Sequence, residues 1–177
     1  MINIMLDLET MGTMPNSAIV AIGAVKFSLE EGIGDKFYEV ITLDSSMKKG
    51  FDVEASTIKW WMRQSDDARK EIFGKGMAVK DTLIKFQEYM GKNTSNIQMW
   101  GNGSDFDNVI LGNAFRAYGV TAPWPYHGNR CFRTIKSSFD KLDVANLGTA
   151  HNALHDAEYQ ATYLTALVKK HNLSNML

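Results

Sequence analysis

The apolar positions fall into two regimes along the chain. The first forty or so residues hold three short apolar or β-branched blocks. Residues 3–7 form an apolar run that ends in an acid. Residues 18–27 are β-branched and apolar with Gly23 inside, and residues 37–43 alternate in part. These blocks predict three strands, with Gly32 and Gly34 marking the turn between the second and third. Their order predicts an antiparallel meander.

From residue 53 the period lengthens. Residues 53–63, 66–73 and 77–90 predict helices; in the last, Val79, Leu83, Phe86 and Met90 recur at helical spacing. Residues 97–100 predict a short buried strand closed by Gly101. Residues 105–118 predict a helix with Val109, Ile110, Ala114, Ala117 and Tyr118 on or near one face. Residues 121–128 carry two of the three prolines and predict a loop. Residues 130–135 fit either a fifth short strand or a helix start. Residues 153–171, rich in Ala, Leu and Tyr, give the clearest helix. Strands first, then strands alternating with helices, predict an α/β fold with a mixed sheet.

The 177 residues suit a single domain spanning 1–177. A hydrophobic fraction of 45% and a charged fraction of 22% are those of an ordinary folded domain. The net charge of −1 argues against holding nucleic acid by a broad basic surface, so any such role needs a local site. A bound divalent cation would add positive charge that the count omits. Cys131 is the only cysteine, which rules out an intrachain disulfide and a cysteine-rich zinc site. The opening MINIMLDLETMG lacks the basic start of a signal peptide, and no run approaches the roughly 18 apolar residues of a membrane span. A cytoplasmic setting without membrane contact is the expectation.

The candidate chemistry is acidic. Asp7 and Glu9 lie two apart on the first strand, so both point to one face near its C-terminal end. Taken alone, such a pair is as well explained by a solvated strand end. Paired carboxylates repel unless a cation neutralises them, and hard oxygen donors suit Mg²⁺ or Mn²⁺. Asp107 falls in the first turn of the 105–118 helix, where the helix dipole alone would favour an acid. Asp105 is the better candidate for its cap. The segment HNALHDA places His151 near a helix start and Asp156 more than one turn later. If His151 sits just outside the helix, both can reach one cleft. His155 points about 100° from Asp156 and is expected to be a neighbour, not a ligand. Four carboxylates and a histidine at three element ends match two-metal phosphodiester hydrolysis, with the histidine accepting the proton of the attacking water.

These residues carry a resemblance. Asp7-Leu8-Glu9-Thr10, Phe106-Asp107 and His151 through Asp156 resemble, in order, the three motifs of the DEDDh 3′→5′ exonucleases. That superfamily includes the proofreading subunits of DNA polymerases, RNase T and oligoribonuclease. The segments LDLETMG, TIKWWMRQS, WGNGSDFDN and HNALHDA are similar to a phage and prophage branch related to the exonuclease domain of exodeoxyribonuclease VIII. The resemblance runs from about residue 4 to 167.

It implies an RNase H-like fold, a five-stranded mixed sheet flanked by helices. It implies two Mg²⁺ or Mn²⁺ ions, with Asp7 bridging, Glu9 and Asp156 completing one site and Asp107 holding the other. His151 would be the general base, and nucleoside 5′-monophosphates would leave from a 3′ end of DNA or RNA, expected to be single-stranded. Leu8, Thr10 and Met11 would lie against the terminal nucleotide. Many relatives carry His-Asn before the second motif, where this chain has Gly101-Asn102-Gly103-Ser104; Asn102 would cover part of that role. A homodimer is one assembly implied.

Trp60 and Trp61 point about 100° apart on a helix, so one is expected in the core and one free to stack on a base. The sequence leaves open which; Trp61 is carried as the substrate-binding candidate. Phe51, Trp100 and Trp124 are expected as core or loop anchors. Arg130, Arg133, Lys136 and Lys141 are expected on a solvated surface. The competing reading is a catalytically inactive module of the same fold that binds nucleic acid or protein.

Overall fold

The computed structural model describes residues 2–146 and 148–176. Five strands form one mixed sheet in the order β3-β2-β1-β4-β5. β1 (Ile2–Thr10), β2 (Ile19–Ser28) and β3 (Gly32–Val40) are the antiparallel meander; β4 (Ile97–Gly101) and β5 (Asn129–Cys131) add in parallel on the other side of β1. β1 is therefore central. The five-stranded mixed sheet flanked by helices is as the sequence implied.

Alternation along β1 sends Ile4, Leu6 and Leu8 to one face and Met5 to the other. The first face is covered by α4 (Val79–Met90) and α5 (Asp107–Ala117), whose Leu83, Phe86, Ile110, Leu111 and Phe115 are buried there. The second is covered by α7 (Ala153–Lys170) through Ala157, Ala161 and Leu164, joined by Phe132 of α6 (Phe132–Ser137). α1 (Leu43–Lys48), α2 (Ala55–Trp61) and α3 (Asp66–Phe73) connect the meander to α4.

Several boundaries differ from the sequence reading. β3 begins at Gly32, because Ser28 pairs with Gly32 across a tighter turn than the two glycines suggested. Residues after Val40 leave the sheet and form α1, which apolar spacing did not signal. The open question at 130–135 resolves as both elements in succession, β5 and then α6. On α5, Leu111 and Phe115 are buried while Val109 is 41% exposed, so the inward stripe is turned by one residue from that expected. Asp105 does not cap α5. It is exposed, the N-cap position belongs to Phe106, and the entry is held by Phe106 and Asp107 N–H groups donating to the Gly103 carbonyl at 2.8 and 3.2 Å. Phe51, Trp100 and Trp124 are buried as expected.

Candidate active site

Three elements converge at one end of the sheet. β1 runs past its partner: its pairing with β4 ends at Leu6 with Gly101, while β1 continues to Thr10. Asp7 and Glu9 occupy this overhang. They share the face of Met5, beneath α7.

Asp107 arrives from the neighbouring parallel strand. Gly101 ends β4 with no side chain, and a Cβ there would stand 3.2 Å from the Asp107 Cβ. The missing side chain lets α5 start hard against the strand. Asp107 is buried, and its Oδ1 accepts the Leu8 N–H at 3.2 Å, just beyond the last residue paired with β4.

α7 supplies the rest. It approaches β2 at Gly23, where any Cβ would overlap the backbone of Ala153. Asp156 sits in its first turn and accepts the His151 N–H at 3.0 Å. His151 lies outside the helix, before the N-cap Asn152, with a left-handed φ of 61°. Glu9, His151 and Asp156 each offer an oxygen or nitrogen within 4.8 Å of the others'. One turn further on, buried Gln160 donates to Asp7 Oδ1 at 2.7 Å. Gln160 was missed in the sequence, although four residues after Asp156 on a helix is the same face.

Electrostatics mark the cluster as unsatisfied without a cation. Burial, then repulsion from Asp156 and Asp107, pushes Glu9 up to about 8. Burial raises Asp107 to about 7, against the opposing pull of the Leu8 N–H and, more weakly, the Arg133 guanidinium. Asp7 is driven well up by burial and by the charges of Asp107, Glu9 and Asp156, with Gln160 opposing. Asp156 is raised by burial, partly offset by His151 and His155. Four carboxylates that resist ionising together, with oxygen donors turned inward, fit a hard divalent cation.

A cavity of about 440 Å³ opens beside the acids, lined by Leu8, Glu9, Thr10, Phe106, Trp60 and Trp61 among others. Leu8 and Thr10 line this cavity. Met11 does not. It is buried against Leu43 and Val53 around a separate apolar cavity, because it lies beyond the strand's end and turns under α2. The tryptophans divide the opposite way from the candidate carried. Trp61 is 2% exposed, with its indole N–H donating to the Thr10 carbonyl at 2.9 Å, whereas Trp60 is 40% exposed and meets the His151 ring at 4.8 Å between centroids. Asn102 is half-buried behind Asp107, its carbonyl taken by Arg133, and it does not line the cavity. His155 accepts the Thr149 N–H at 3.1 Å and lines a separate cavity with Tyr159 and Thr162.

A family model described as the 3′-5′ exoribonuclease Rv2179c-like domain matches residues 2–168. The chain belongs to this 3′–5′ exonuclease family. An exodeoxyribonuclease of Enterobacteria phage T4 is 30% identical over 127 residues, covering 63% of this chain and 54% of the phage protein. The chain thus spans about half the length of that curated relative. Among solved structures, E. coli exonuclease I in complex with a dT13 oligonucleotide matches with a TM-score of 0.70 at 12% identity, over 97% of this chain and 42% of that one. The nuclease domain of 3′hExo, a DEDDh family member bound to rAMP, matches with a TM-score of 0.62 at 14% identity, over 96% and 92%. The fold of this chain is therefore that of the E. coli exonuclease I and 3′hExo nuclease domains.

Proposed function

We propose that the chain removes nucleoside 5′-monophosphates from the 3′ end of single-stranded nucleic acid, using two Mg²⁺ or Mn²⁺ ions held by Asp7, Glu9, Asp107 and Asp156. The observation that carries this reading is the convergence of four buried or half-buried carboxylates and one histidine beside a cavity of ligand size. Bound ions would supply charge stabilisation for the attacking and leaving oxygens of the displacement.

The chain's own residues do the rest. Leu8, Thr10 and Phe106 form a wall that excludes water around the terminal nucleotide. The His151 imidazole accepts one proton from the attacking water. The water oxygen bonds to phosphorus, the bond from phosphorus to the 3′ oxygen of the preceding nucleotide breaks, and that oxygen takes a proton from solvent to leave as a 3′-hydroxyl. A net charge of −1 offers no broad grip on a duplex, which favours a single 3′ end entering a local site. The family description names an exoribonuclease and the phage relative is an exodeoxyribonuclease, so both sugars are candidates.

The test is product analysis on matched single-stranded DNA and RNA oligonucleotides, each also with a blocked 3′ end. Release of 5′-mononucleotides from the free ends alone supports the reading. Release from blocked ends, or of dinucleotides and longer products, contradicts it.

A further inference from the structure

The segment TIKWWMRQS and the helix after it take no part in the acid cluster, yet they touch it, most closely at two places. Both contacts fall on the short stretch that carries His151. The first is the Trp60 ring, which stands 4.8 Å from the His151 ring at 80°, an edge-to-face arrangement. The second is one residue along. Asn152 Nδ2 donates to Glu71 Oε2 of α3 at 3.1 Å, while Asn152 Oδ1 accepts the His155 N–H and caps α7. Both ends of the Asn152 amide are thus committed. Glu71 is itself fixed from the sheet, because Tyr38 on β3 donates to the same Oε2 at 2.9 Å.

The two helices that deliver these contacts are locked to each other and to the core. Ser65 caps α3 by accepting the Ala68 N–H, and Arg69 donates to the carbonyls of Met62 and Gln64 in the joint. Trp61, Ala68 and Ile72 bury the pair against the sheet. His151 needs such support. A non-glycine residue in the left-handed region is strained and persists where its surroundings impose it.

We propose that the α2–α3 pair is the positioning element of His151, holding its ring through Trp60 and the adjoining backbone through Glu71 and Asn152. This rests on the exonuclease reading for His151's role, but its geometry is measurable without turnover. Trp60 and Glu71 act through the histidine. They are positioning residues, and a base displaced by about 1 Å loses rate, not substrate affinity.

The experiment measures kcat and KM on a 5′-labelled oligonucleotide for Trp60→Ala, Glu71→Ala, Glu71→Gln and Asn152→Asp. Asn152→Asp keeps the helix cap but removes the donor to Glu71, so it tests the link even if Glu71→Ala fails to fold. Trp60→Ala, Glu71→Ala and Asn152→Asp are each expected to lower kcat by roughly 10- to 100-fold, with KM within about 2-fold for Glu71→Ala and Asn152→Asp and raised as well for Trp60→Ala, whose ring also lines the cavity. Glu71→Gln should restore most of the rate, since one amide oxygen can accept both bonds. Unchanged kcat in Asn152→Asp, or a Trp60→Ala effect confined to KM, overturns the proposal. In parallel, the His151 imidazole resonance, identified by its loss in His151→Ala, is expected to be displaced in wild type by the Trp60 ring. It should move in both Trp60→Ala and Asn152→Asp. If it stays put in both, the proposal fails even where the enzyme is active. If it moves but wild type degrades nothing, the positioning stands and the exonuclease reading falls.

Discussion

Asp7, Glu9, Asp107 and Asp156 are held close by a fold that gives them few opposing cations, and this has a thermodynamic consequence. Glu9 ionises near 4.5 as an ordinary carboxyl and at about 8 in the folded, metal-free chain. The native state therefore binds more protons than the unfolded state across that interval. Stability from this source is complete below about pH 4.5 and is lost as pH rises through 8. The metal-free protein should melt at progressively lower temperature between pH 5 and 8, and Mg²⁺ or Mn²⁺ should raise the melting temperature most at the upper end. Thermal melts in chelator and in metal check this; a flat profile in chelator would contradict it. By the same logic Asp7→Asn removes a carboxyl whose ionisation burial and the neighbouring acids oppose, and should stabilise the metal-free protein at pH 8 while abolishing turnover. Activity and stability thus pull in opposite directions at this residue. His151→Ala should lower kcat by about 10²–10⁴-fold, the usual worth of a general base, and steady-state kinetics in saturating metal reads it directly.

At the scale of elements, the site depends on how closely helices can approach strands. α7 lies on β2 only because Gly23 has no side chain to meet Ala153. Gly23→Ala should force α7 outward, carrying Asp156 and His151 with it. A stability loss of about 1–3 kcal/mol, the usual cost of overpacking, is expected in denaturant unfolding, with a larger proportional loss of metal affinity in calorimetry. Wild-type metal affinity in that variant would contradict the argument.

The same scale explains what the sequence revealed. The acids were legible because strand alternation fixes Asp7 and Glu9 to one face and the spacing of HNALHDA sets His151 and Asp156 around a helix start. The stripe Val79, Leu83, Phe86 and Met90 was equally plain, and all four are buried. What stayed hidden depends on contacts between distant segments. Trp60 and Trp61 have the same local pattern; only the bond from Trp61 to the Thr10 carbonyl, fifty-one residues away, decides which one is buried. Met11 follows the strand's apolar sequence, yet it turns beneath α2 at a point that periodicity does not show. α1 is six residues long, too short for a helical period to emerge from sequence.

At the scale of the molecule, the sheet order makes β1 central and lets it overhang β4, so the first motif lies where helices from both faces can reach it. α5 comes from one side with Asp107, and α7 from the other with Asp156 and His151. A chain of net charge −1 should hold oligonucleotide weakly without metal. Among the described residues no helix is long and apolar enough to cross a membrane. These separate elements are expected to make one metal-dependent site acting from the 3′ end. The most direct test is incubation of a 5′-labelled single-stranded oligonucleotide with wild type and Asp156→Ala, in Mg²⁺ or Mn²⁺ and in chelator. A ladder shortening from the 3′ end is expected for wild type with metal, and none in chelator or for Asp156→Ala. A ladder of equal rate from Asp156→Ala, or one that persists in chelator, would contradict this expectation.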